Sequence, residues 1–149
     1  MTTETTTPSG LELLRGLADD IDAVPNIGRM LGMRIDRVDA GEVAMSMETR
    51  PDFANPMGSV HGGICATLLD SVMSCAVHTT LEPGVGYSTL ELKVNYVATV
   101  ATDDVRLSAT GRTVHVGRTT ATAEGFVHDQ DGRMVAHGTA ICLILRGRV

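Results

Sequence analysis

Between Gly62-Gly63 and Pro83-Gly84 runs one long, mostly apolar stretch, and the chain after it alternates in the manner of strands. That asymmetry limits the fold more than any other feature. Residues from about 62 to 79 read as a helix, roughly 27 Å long at ~1.5 Å per residue. A helix so apolar must be covered on most of its sides. Four strand-like runs follow it, at about 86–98, 103–113, 118–129 and 132–145, punctuated by Asp103-Asp104, Gly117 and Asp131-Gly132. Asp-Gly is the residue pair of a two-residue hairpin. Two further runs, 31–39 and 42–50, precede the helix and meet at Ala40-Gly41. The segments predict an α+β layout, with a curved antiparallel sheet of about six strands wrapped around one central helix.

The other segments are minor. Residues 1–8 are Thr-rich and read as a disordered tail, and 9–149 read as a single domain. Ser9-Gly10-Leu11-Glu12 has the spacing of a capping box. It opens an amphipathic helix over 10–22, with Leu14, Leu17, Ala18 and Ile21 on one face and Pro25 beyond its end. Residues 51–60, with two Pro and one Gly, read as a loop.

Charge and composition exclude several roles. A net charge of −6 and an aromatic share of 3% argue against a nucleic-acid partner. No apolar run approaches the ~20 residues that span a bilayer. Cys65, Cys75 and Cys142 lie in apolar runs without paired spacing. That predicts reduced thiols and a cytoplasmic setting, not a disulfide framework.

The chemistry centres on the helix. Asp70 lies about two turns inside it, too deep to cap and a poor helix former, so it is either exposed or functional. On a helical projection Thr67, Ser71, Ser74 and His78 share one stripe, and Asp70 sits at its edge. Helix starts carry unpaired N–H groups and the positive end of the dipole. Gly62-Gly63 could therefore serve an oxyanion, or serve the turn alone. His61 reads first as a residue that fastens the loop to the helix start, and second as a general base or metal ligand. Cys65, one turn from His61, reads as buried in preference to nucleophilic. No ligand spacing for a metal is present. Arg118, in Val116-Gly117-Arg118-Thr119, is either a solvated charge or a phosphate contact, with Arg112 as a second choice.

The run Asn55-x-x-Gly58-x-x-His61-Gly62-Gly63, followed by Asp70, resembles the hotdog-fold acyl-CoA thioesterases, in particular the PaaI-like, phenylacetate-pathway branch. The likeness continues through 85–96 and 117–121 and covers about residues 25–145. It implies a hotdog fold and hydrolysis of acyl-CoA to free acid and CoA, with no metal or redox cofactor. By the same resemblance Asp70 is general base or nucleophile and the Gly62 N–H holds the thioester oxygen, with Gly63 beside it. Asn55 orients water or the acid, and Thr89 hydrogen-bonds the acid, with Ser88 as the alternative one register away. Arg118 meets the CoA phosphates. Asp70 lies ~12 Å along the helix from Gly62, too far to share one carbonyl within a chain. A homodimer with its site across the interface is therefore expected, and with the resemblance goes the expectation that it assembles into a homotetramer. Two alternatives are an enoyl-thioester hydratase using His61, and a non-catalytic acyl-CoA-binding module, which would not need Asp70.

Overall fold

The computed structural model describes residues 6–147. The first five residues of the expected tail lie outside that range, and Thr6, Thr7 and Pro8 have no regular structure. In order, the elements are α1 (Gly10–Asp19), α2 (Ile27–Leu31), β1 (Arg34–Asp39), β2 (Glu42–Glu48), a single 3-10 turn (Pro51–Phe53), α3 (Gly62–His78), β3 (Gly86–Tyr96), β4 (Arg106–Val116), β5 (Thr120–His128) and β6 (Met134–Leu145). The six strands make one antiparallel sheet in the order β1-β2-β4-β5-β6-β3, so β1 and β3 are its edges. The sheet wraps α3, which is the hotdog arrangement.

What lets a sheet close so tightly on a helix is the size of its inward residues. Beneath α3 stand Ala109, Ala121, Ala123, Ala136 and Ala140, all buried. Through them runs a cross-strand row of three glycines, with Gly111 of β4 opposite Gly125 of β5 and Gly125 opposite Gly138 of β6. A Cβ on Gly111 would stand 2.4 Å from the backbone of Val72, so the helix main chain rests on the sheet. A Cβ on Gly125 would meet the Met73 side chain at 2.9 Å. At Gly138 the obstacle is the Lys93 carbonyl on β3, at 2.3 Å, a sign of how sharply the sheet bends there. The larger side chains (Leu68, Leu69, Val72, Met73 and Val77 from α3; Met33, Met47 and Leu107 around them) fill the space to either side. β-Bulges in four of the five strand pairs add to the curvature.

Several boundaries differ from the sequence reading. α2 occupies the region where a strand was expected to start. Asn26 caps it by accepting the Arg29 N–H at 2.8 Å, and Gly32 closes it at φ +72°. Five residues are too few for helical periodicity to register, and β1 begins only at Arg34. β4 runs on to Val116 because a bulge between Thr113 and His115 absorbs Val114. The Asp131-Gly132 turn is wider than two residues. Asp129 holds it by accepting the Asp131 and Arg133 N–H groups, each at 3.0 Å, and its own N–H donates to the Arg133 carbonyl.

The glycine row gives a direct prediction. Gly111→Ala should lower the thermal midpoint, because overpacking against backbone costs about 1–3 kcal/mol or more, equivalent to roughly 2–4 °C per kcal/mol at this size. Gly16→Ala, in α1 with nothing within 4 Å of the added Cβ, should leave the midpoint unchanged or raise it. Thermal unfolding followed by circular dichroism measures both.

Candidate active site

The loop before α3 is built by Asn55. Its Oδ1 accepts the Met57 and Ser59 N–H groups at 2.9 and 3.2 Å, and its Nδ2 donates to Ser59 Oγ at 3.1 Å. Gly58, at φ +83°, supplies the left-handed residue this turn needs. The loop is then pinned to the body, with the Val60 N–H on the Val100 carbonyl and the His61 N–H on the Phe53 carbonyl. A Cβ on Gly62 would come within 3.1 Å of the Tyr96 ring, closer than ordinary contact, so a side chain there would have to push the tyrosine back.

His61 is the N-cap of α3. Its Nδ1 accepts the Gly63 N–H at 2.9 Å. An accepting Nδ1 leaves the proton of the neutral ring on Nε2. The Tyr96 hydroxyl donates to the Gly62 carbonyl at 2.7 Å. Among the described residues nothing accepts the Gly62 N–H. One donor is thus left open at the positive end of a 17-residue helix. Gly62 lines a small pocket of about 190 Å³, with Asn55, Ser59, Cys65 and Tyr96 among its other walls.

Further along the helix, Thr89 Oγ1 donates to Asp70 Oδ1 at 2.8 Å. Asp70 Oδ2 has no partner among the described residues. A bulge decides which β3 residue makes this contact. Thr89 pairs with Cys142 and Glu91 with Ile141, leaving Leu90 as the extra residue. Tyr87 and Thr89 therefore face α3, Leu90 and Glu91 both face out, and Leu92 and Val94 return to the core side. A regular strand would have turned Glu91 and Lys93 inward. Ser88 points away and is exposed.

Asp70 and Thr89 line an apolar groove of about 330 Å³. Leu17 and Ile21 from α1 and the turn after it, Ile27 from α2, and Met33, Ile35 and Met45 from β1, β2 and their approach form much of its wall. Ser71 and Ser74 also line it, so the middle of the polar stripe on α3 faces this groove, with Ser74 buried, whereas Thr67 and His78 at its ends do not line it. Tyr87 lies there too, and burial pushes its hydroxyl up to about 12. Sequence reasoning missed Tyr87, and also Tyr96. Their common signal is an aromatic with a polar tip on a strand that packs against a polar helix stripe.

The cysteines carry no nucleophile. Burial pushes the Cys65 thiol up to about 11 and the Cys75 thiol to about 12, so both stay protonated at neutral pH. Arg112 is occupied on the outer face of the sheet, where its Nε donates to Glu124 Oε1 at 2.6 Å. Arg118 sits exposed at the β4–β5 turn and makes no ion pair among the described residues. That turn lies at the end of the sheet that holds Thr89, because Thr120 pairs with Leu143 and Leu143 with Ser88.

The site is therefore in two parts. The pocket at Gly62 and the groove at Asp70 share no lining residue.

Comparison with known proteins fits this geometry. The family model for the thioesterase superfamily matches residues 57–136, which include both Gly62 and Asp70. A phenylacetic acid degradation-related protein of Ralstonia eutropha is 31% identical, over 87% of this chain and 97% of that one, with a TM-score of 0.77. The PaaI protein of the Escherichia coli phenylacetic acid degradation operon superposes with a TM-score of 0.81, over 93% of this chain and 98% of its own. At 19% identity that likeness speaks for the fold alone. Human acyl-coenzyme A thioesterase 13 is 27% identical over 129 residues, 84% of this chain and 89% of its own length.

Proposed function

The chain belongs to the thioesterase superfamily and is a thioester hydrolase, and on that premise we propose that it cleaves acyl-CoA to the free acid and CoA, with Asp70 as the group that activates the attack. The observation that carries this reading is the Asp70–Thr89 hydrogen bond in a half-buried groove. Thr89 engages Oδ1 and fixes the carboxylate, and Oδ2 remains for chemistry. The acyl group lies along the apolar wall, and the thioester oxygen takes the Gly62 N–H. Asp70 Oδ2 accepts a proton from water as the water oxygen adds to the carbonyl carbon, or adds to that carbon itself to give a mixed anhydride. In both routes the Gly62 N–H and the helix dipole stabilise the oxyanion, and the CoA thiolate leaves and takes up a proton; in the second route water then hydrolyses the anhydride, releasing the acid and restoring the Asp70 carboxylate. Asn55 holds the loop, and its second amide proton is available to the water. His61 and Gly63 keep the helix start in place. Use of His61 as a cap speaks against the hydratase alternative, which needs that ring for proton transfer.

The Gly62 and Asp70 of one site come from two copies of the chain. Two features support this. The pair are ~12 Å apart along one helix, beyond hydrogen-bond reach even through one water. In addition, β3 is an eleven-residue edge strand with exposed apolar side chains, Leu90 at 63% and Tyr96 at 55%. An unprotected edge of that length is a pairing surface. Two-fold pairing of β3 with its copy would set the helices side by side in opposite directions.

Asp70→Asn should retain the fold and lower kcat on acyl-CoA by about 10²–10⁴. Free-thiol release across aryl, short, medium and long acyl-CoAs measures it, and parental turnover in the variant would remove Asp70 from the mechanism. Arg118, offered here as a phosphate contact, gives a different pattern. Arg118→Ala should raise KM for acyl-CoA with kcat nearly intact, and leave acyl-pantetheine unaffected. Equal effects on both substrates would assign Arg118 a structural role.

A further inference from the structure

Gly62-Gly63 places two of the most freely rotating residues where a donor has to be aimed. Each of the two peptide planes involved is held by hydrogen bonds. The plane between Gly62 and Gly63 is gripped at both ends, its carbonyl by the Tyr96 hydroxyl at 2.7 Å and its N–H by His61 Nδ1 at 2.9 Å. The plane between His61 and Gly62, which carries the open Gly62 N–H, is held at its carbonyl by the Ile64 N–H at 2.9 Å. Of these contacts, only the Tyr96 bond comes from another element, the far end of β3.

We infer that Tyr96 is a positioning residue for the oxyanion donor: its hydroxyl, with His61, clamps the Gly62–Gly63 peptide so that the Gly62 N–H points into the pocket. This rests on the thioester reading above. In the single chain the tyrosine ring is more than half exposed, and its hydroxyl bond acts on the direction of the Gly62–Gly63 peptide. The same contact couples position 62 to the tyrosine, since a Cβ there would stand 3.1 Å from the tyrosine oxygen and ring and would press on them. Tyr96 also lines the Gly62 pocket, so the clamp and the donor act in one space.

Tyr96→Phe keeps the ring and removes only the donor. The expected result is a fall in kcat of about tenfold, short of the ~10²–10³ lost when an oxyanion donor is deleted outright. KM should change by less than about twofold, since uniform binding is untouched. A second readout isolates the donor. In a ketone analogue of acyl-CoA, with CH₂ in place of the thioester sulfur, the infrared carbonyl stretch reports the hydrogen bond at the carbonyl oxygen. Bound to the unsubstituted protein it should fall below its frequency in water, and in Tyr96→Phe it should move back toward that value. Unchanged kcat, or a lowered kcat with an unchanged stretch, would overturn the inference. A stretch that is not lowered in the unsubstituted protein would overturn it as well, by removing the oxyanion donor itself. Failure of the thioester reading shows separately, as no thiol released from any acyl-CoA, and the ketone shift would still report on the clamp.

Discussion

The contact on which the rest of the structure depends is between the backbone of α3 and the glycine row of the sheet. Gly111 lets the Val72 main chain lie directly on β4, and Gly125 makes room for Met73. Protein interiors are packed too densely for such a contact to be loosened without a response elsewhere. It sets the depth and the rotation of the helix. With Leu68, Leu69, Val72, Met73 and Val77 buried, the remaining side of α3 can only present Asp70, Ser71 and Ser74 to the groove beneath α1 and α2.

From that placement the proposed chemistry divides between the two parts of the helix. Its start offers a backbone donor whose direction is controlled by neighbours, the His61 ring and the Tyr96 hydroxyl. Its third turn offers a carboxylate fixed by Thr89. Neither part needs an unusual side chain. In the proposed mechanism the helix dipole, an unpaired N–H and a carboxylate with one free oxygen supply the means for acyl transfer, and the apolar wall of α1, α2, β1 and β2 supplies the place for the acyl group. The edge strand β3 links the two, since it carries Thr89 for one part and Tyr96 for the other.

Much of this was legible in the sequence, because it is written in local signals. The apolar run with its glycine and proline limits marks α3 within a residue or so, and strand alternation marks all six strands. The spacing from Asn55 to Asp70 brings the helix start and its acid to notice. What was not legible depends on long-range register. α2 is too short for periodicity. The choice of Thr89 over Ser88 is made by a bulge at Leu90, which exists only once β3 is paired with β6. The glycine row is three single residues in three separate runs, and only the pairing of β4, β5 and β6 lines them up. Tyr96 is separated from Gly62 by 34 residues, and its hydroxyl meets that carbonyl only through the fold.

The central claim is that each complete site takes its oxyanion donor from one chain and its carboxylate from another. The most direct measurement mixes two inactive variants, Asn55→Ala and Asp70→Asn, under conditions of subunit exchange, and follows thiol release from acyl-CoA. Statistical mixing makes half of the dimers heterodimers, each with one site free of both lesions, so activity should return to about a quarter of the parental value for a two-fold dimer. No recovery, with heterodimers demonstrated by mass, would contradict the account and confine the site to a single chain.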